Sequence, residues 1–210
     1  TSKLHDTYVA VYGYDADGSG YTIYNNTSSA TYIAPGQAFM VAADNSSAGT
    51  SVSMTEAMQT TTGGDDFISG DIMEDNRGEL FVSLNQNDLL RETEIYFIEN
   101  TTDGSDPTYD ARTFPMNDNA TSVFTRLVEG DEGVDLSIQA LAYSEMWDKV
   151  IPLGINALGG EEMTISISHR TTPADLNIYL EDTEEGTMTN LLDGDFVYTP
   201  TSDLEGVGRF

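Results

Sequence analysis

Cysteine is absent from the 210 residues, which excludes a disulfide framework, cysteine-bound zinc and a cysteine nucleophile. Histidine occurs twice, at His5 and His169, far apart in sequence, and each reads as a solvated or structural residue rather than a base or a metal ligand. Lysine is nearly missing: Lys3 and Lys149, with six arginines, face 36 Asp and Glu for a formal net charge of −28. So few cations exclude nucleic acid and an anionic membrane surface as partners, because both bind through basic side chains. No apolar run approaches the roughly 20 residues of a membrane-spanning helix, so membrane insertion is not expected. No secretory leader opens the sequence, so an exported form is expected to have shed one.

What is present argues for a folded domain. Hydrophobic residues make up 39% and aromatics 10%, too many for an acidic disordered chain. The acid therefore reads as a coat on a globular core. Carboxylates without lysines repel one another in dilute buffer and are tolerated where salt screens them, which fits halophilic adaptation. An ordinary acidic secreted protein, or carboxylates that bind cations, would show the same balance.

The texture is of short alternating runs broken by Gly, Asn, Asp, Ser and Thr. Thr7 to Tyr14, Tyr21 to Tyr24, Gln37 to Ala42 and Ser51 to Met54 read as strands, with a helical turn at Thr55 to Gln59. Residues 61–78 read as a linker or long loop. Glu79 to Leu84, Glu92 to Glu99, Ser122 to Leu127, Val134 to Ala140, Val150 to Leu153, Glu162 to Ser168, Asn177 to Glu181 and Asp195 to Thr199 continue the series. Turn signals every 8 to 12 residues or so predict an all-β, antiparallel β-sandwich, jelly-roll-like, over 79–210, with a smaller hairpin-rich β unit over 1–60.

Two loops carry carboxylates at spacings that suit a hard cation. Asp15, Asp17 and Ser19 stand at i, i+2 and i+4 in DADGSG, the start of a calcium loop that lacks a distant bidentate Glu; the competing reading is a polar hairpin turn. Asp103, Asp106 and Asp110 crowd a second loop and call for a shared positive charge, supplied by Ca2+ or by nearby Arg112. Nucleophile-elbow, phosphate-loop, HExxH and dinucleotide patterns are all absent, so no catalytic residues are assigned and no enzyme is expected. Tyr8, Tyr12 and Tyr14 share one strand face, which predicts cross-strand packing before a glycan platform. Trp147 reads as a core or rim anchor rather than a stacking residue. Asn25, Asn26, Asn45, Asn100 and Asn119 sit in N-x-S/T triplets, which are cheap in a chain this rich in Ser, Thr and Asn.

Several segments, in order, resemble the β-rich region preceding the C-terminal sorting domain of large secreted and surface proteins of the Bacteroidetes, exported by the type IX route. Ile33 to Val41 (IAPGQAFMV) resembles its I-A-P-G-Q-G-F-F-V strand, Thr55-Glu56-Ala57-Met58 its T-E-A-M, and Glu94 to Asp110 its TxIYFxxxATDGFDxxYD. Val150 to Gly154 resembles its VPLG, Glu181-Asp182 with Thr189 and Leu191 its YLEDxxTGxxTxL, and Gly208-Arg209-Phe210 its terminal DRF. The usual opening strand, W-N-L-I-G-N-P-Y-P, has no counterpart. The resemblance implies a non-catalytic extracellular or cell-surface module, a spacer or adhesion domain whose partners are other domains of its parent protein or neighbouring subunits. The alternatives are a carbohydrate-binding module taking polysaccharide, and a filament subunit completed by a neighbour's strand.

Overall fold

The computed structural model describes residues 4, 8–14, 21–28, 32–33, 38–43, 51, 53–59, 77–107, 109–114 and 121–210. The protein is an all-β sandwich. Strands β1 (Val11–Tyr14), β2 (Tyr21–Tyr24) and β3 (Phe39–Met40) form an antiparallel sheet in the order β2-β1-β3. The large sheet contains β4 (Gly78–Gln86), β5 (Leu89–Ile98), β7 (Ser122–Thr125), β8 (Leu136–Ala142), β9 (Leu153–Asn156), β10 (Met163–Arg170) and β13 (Phe196–Tyr198). Their order is β13-β10-β4-β5-β8-β7-β9, with β6 (Ala111–Arg112) also on β8. A hairpin of β11 (Tyr179–Asp182) and β12 (Thr187–Asn190) stands apart from it.

The hairpin β4–β5 is the spine. Its two-residue turn, Asn87-Asp88, has φ of 54° and 63°, the left-handed pair that matches the twist of the flanking strands. Period-two alternation sends Leu80, Val82 and Leu84 of β4, and Ile95 and Phe97 of β5, to one face, where they meet Met163 and Ile165 of β10 in the main core. The sheet curls, so that β7 comes against β4 and β5 and its Val123 joins the same core. Gly154 of β9 pairs with Phe124 of β7; a Cβ there would stand 2.1 Å from the Phe124 ring, so the ring occupies the space a side chain would fill.

The opposite face of β5 and β8 carries Tyr96 and Ile138, and on it pack Ala10, Tyr12 and Ile23 of the N-terminal sheet. Tyr12, fully buried, lies 5.1 Å from the Phe114 ring, and Asn25 and Thr27 both donate to the carbonyl of Tyr109, at 2.6 and 2.8 Å. Tyr12 is thus the packing residue its spacing predicts.

The sheet is not wholly antiparallel. β5 and β8 run parallel, Glu94 opposite Ile138 through Ile98 opposite Ala142. A parallel pair needs a long crossover, and the stretch from Glu99 to Asp135, with β6 and β7 inside it, provides one. Residues 204–210 run along β9 without forming a regular strand: the amides of Leu153, Ile155 and Ala157 donate to the carbonyls of Phe210, Gly206 and Leu204. Arg209 then clasps the β11–β12 hairpin through Asp182, at 2.7 and 3.1 Å. The helical turn expected at Thr55 to Gln59 is a 3-10 turn over Glu56–Met58, and residues 51, 53 and 54 form no strand.

Candidate functional site

Asp15, Asp17 and Ser19 lie outside the described residues. The second loop is described, and its three carboxylates turn to different partners. Asp103 takes the Lys149 ammonium at 2.6 Å on both oxygens, Asp106 accepts from the amide and hydroxyl of Thr102 at 2.5 and 3.1 Å, and Asp110 accepts from the amides of Asp106 and Ala140 at 2.7 and 2.9 Å. Among the described residues no three His, Cys, Asp or Glu side chains converge as metal ligands would. The cation that serves this loop is Lys149, 46 positions from Asp103, and not neighbouring Arg112, whose guanidinium lies over the Tyr8 ring at 5.8 Å. Burial pushes the Asp110 carboxyl up to about 6, against the pull of its two amide donors.

A second polar group lines the face of β4, β5 and β10 turned away from the main core. A β-bulge between Ile167 and His169 places Ile167 opposite Val82 but His169 opposite Phe81, so His169 reaches the outer face instead of the core. There its Nε2 lies 2.8 Å from Glu79, which also takes Arg77 at 2.6 Å, and its ring packs 4.7 Å from Phe81. Next along the face Tyr96 donates to Glu94 at 2.5 Å, and Ser168 donates to Glu92. Burial pushes Glu94 up to about 7; Glu92 and Glu79 add to the shift, while the Tyr96 hydroxyl and Arg77 oppose it. Tyr96 is itself raised by burial and by Glu94. These are three separate groups, Glu79 with His169 and Arg77, Glu94 with Tyr96 and Glu92 with Ser168, and Tyr96 among them is buried in the cluster that the N-terminal sheet joins. They were not singled out in the sequence: alternation puts Glu79 with Phe81, and Glu92 with Glu94 and Tyr96, but the register of β4 on β5 is what brings the two sets to one face.

The third feature is a half-open cavity of about 150 Å³ over the concave side of the large sheet. Its floor is Leu80 and Val82 of β4 with Ile95 and Phe97 of β5; its sides come from Met146 and Trp147 of the 3-10 turn Tyr143–Asp148 and from Leu176 to Leu180. Trp147 is 51% exposed and Tyr179 54%, and both edge the opening. Trp147 is the rim anchor the sequence suggested; Tyr179, inside a predicted strand, carried no signal that marked it. The segment above the floor is tied down. Arg170 donates to the Thr172 hydroxyl at 2.6 Å and to the carbonyls of Pro173 and Leu176, and the Leu191 amide donates to the carbonyl of Ile178.

Such an arrangement can hold an apolar group against a rigid sheet, between two aromatic side chains, with its charged neighbours already paired. Among the described residues no helix is long and apolar enough to cross a membrane. No curated protein and no solved structure matches the chain. A family model does, over residues 1–210, and the chain belongs to that family, described as a domain of unknown function, DUF8693.

Proposed function

We propose that the chain is a non-catalytic accessory module, a spacer or adhesion domain, of a secreted or surface-displayed bacterial protein of the type IX-exported kind. The observation that carries this reading is the cavity lined by half-exposed Trp147 and Tyr179. Large apolar side chains left at an opening favour binding, because exposed aromatics form the anchors of interfaces. The ordered run of motifs from Ile33 to Phe210 supports the parent class and an extracellular location. The test is turnover on soluble and insoluble polysaccharides. The expected result is none; turnover abolished by Glu94→Gln, the acid whose raised value suits a proton donor, overturns the reading.

The same two aromatics favour a second reading, a carbohydrate-binding module that stacks sugar rings at the surface. Co-sedimentation with insoluble polysaccharide, lost in Trp147→Ala, would select it. In the filament alternative a neighbour's strand would have to displace residues 204–210 if it entered along β9.

A further inference from the structure

We propose that the cavity beneath Trp147 and Tyr179 is a binding site for a small apolar group, an aromatic ring or a branched aliphatic chain, and not for a sugar. The inference rests on the binding reading above and assigns its ligand class. The half-open cavity of about 150 Å³ is a concavity lined mostly by apolar side chains, Leu, Ile and Phe among them, the character of a small-molecule pocket. A space of about that volume is enough for a benzene-sized molecule.

The polar inventory decides the ligand. Among the described residues Lys149 is the one charged residue of the lining, and its ammonium has three protons. All three are directed elsewhere: two to the Asp103 oxygens at 2.6 Å and one to Glu145 at 2.7 Å. These two acids hold Lys149 above its ordinary value, against the effect of burial, so it stays charged and paired. Of the other lining side chains, those with polar atoms are Asn177 and, at the rim, Trp147 and Tyr179, beside backbone groups of the lining segments. A pyranose inside the cavity would give up hydration at every hydroxyl that faces the apolar floor of Leu80, Val82, Ile95 and Phe97, which costs more than the few polar partners return. An aromatic or branched aliphatic group gives up nothing polar and covers Leu80, Val82 and Phe97. The floor is the central β4–β5 hairpin, and Arg170 fixes the segment bearing Leu176, so the site is formed before the ligand arrives.

The experiment is methyl NMR of the full chain titrated with indole. Saturable shifts are expected at the methyls of Leu80, Val82, Leu153 and Leu180, with none at Val197 on the edge strand β13; glucose and cellobiose are expected to shift none of them. Ile178→Trp, which fills the cavity from its side, is expected to remove the indole response while the spectrum stays dispersed. Should that variant not fold, xenon on the unaltered chain reads the same cavity at the same methyls. N-acetyl-phenylalaninamide separates the sources: response to it at lower concentration than to indole assigns a partner's side chain, and response to indole alone assigns a free molecule, both supporting the chemistry. No saturable shift with either indole or xenon, an indole response that persists in folded Ile178→Trp, or core-methyl shifts with sugar would overturn the inference. Silence of the cavity with turnover also absent sinks the ligand class alone. Turnover abolished by Glu94→Gln sinks the accessory-module reading whatever indole does.

Discussion

Asp182 and Asp110 are both buried carboxylates in a chain with 8 cationic side chains to 36 acidic ones, and they are accommodated in opposite ways. Asp182, 1% exposed, has a cation: burial pushes it up, but the Arg209 fork and the amides of Glu184 and Glu185 outweigh that and hold it below its ordinary value. Arg209 in turn lies over the rings of Tyr198 and Phe210, at 4.2 and 5.3 Å. Asp110 has no cation, only two backbone amides, and burial wins. Glu94 repeats the Asp110 solution with a Tyr hydroxyl as donor. The difference teaches how so acidic a chain closes a core: Arg209 and Lys149 join pieces of chain distant in sequence, while Asp110 and Glu94 are held by amides, a hydroxyl and a proton.

The largest expected effect comes from breaking the clasp. Arg209→Leu leaves Asp182 buried without its cation and frees residues 204–210 from the β11–β12 hairpin; a loss of about 3–5 kcal/mol is expected in urea unfolding. Asp110→Asn keeps an acceptor for the Ala140 amide and surrenders the Asp106 one, with an expected loss of about 1–2 kcal/mol. If the two variants cost the same, the contrast between the sites is wrong.

Next in size is the dependence on pH, where the two solutions have opposite signs. Asp110 and Glu94 have folded-state values, about 6 and about 7, above those of an unfolded chain, so they bind protons more tightly folded than unfolded. The stability they contribute is full below about pH 4 and is lost as pH rises through 6 and 7, on the order of 2–3 kcal/mol for each. Asp182, lowered, contributes above about pH 4 and loses that contribution as the pH falls further. Stability is therefore expected to fall between about pH 4.5 and 7.5, and Glu94→Gln and Asp110→Asn each to flatten part of that slope. Urea midpoints that rise over this range would contradict both assignments.

Salt acts on the whole surface and raises stability. With a net charge of −28, screening relieves self-repulsion, and the melting temperature is expected to climb by a few degrees across a sodium chloride series with chelator present. A flat or falling series removes the halophilic reading.

The fold was more legible than the site, and the reason is range. Alternation marked β4, β5, β7, β8, β10, β11 and β13 within a few residues of their ends, since half-buried strands write their pattern locally. Thr187–Asn190 carried no such mark, because T-M-T-N reads as a loop until a partner strand is beside it. The parallel pairing of β5 with β8 is a property of the crossover and has no local signature. The cavity was invisible for the same reason: its lining is drawn from β4, β5, the turn at 143–148 and residues 176–180, which only the tertiary fold brings together. The pairing of Asp103 was misread by proximity. Arg112 was close in sequence, but the 3-10 turn before Lys149 carries that ammonium to the loop.

The last comparison concerns calcium, and it separates the two acidic loops. A cation at the second loop would have to pull Asp103 from Lys149 and Asp106 from the Thr102 amide, giving up charge-assisted bonds of 2.6 and 2.5 Å already made within the protein. It would gain Asp110 only by taking that oxygen from a backbone amide. The melting temperature measured with calcium and with chelator is therefore expected to change by the same amount in Asp106→Ala as in the unaltered chain. Any response that exists should instead vanish in Asp17→Ala, because Asp15, Asp17 and Ser19 are the remaining set with cation spacing. Ligand linkage sets the scale: occupancy at a hundredfold excess over Kd is worth about 2.7 kcal/mol, easily read in a melt. A calcium response lost in Asp106→Ala and kept in Asp17→Ala would mean that the Lys149 bridge yields to the ion, and that the second loop is the metal site after all.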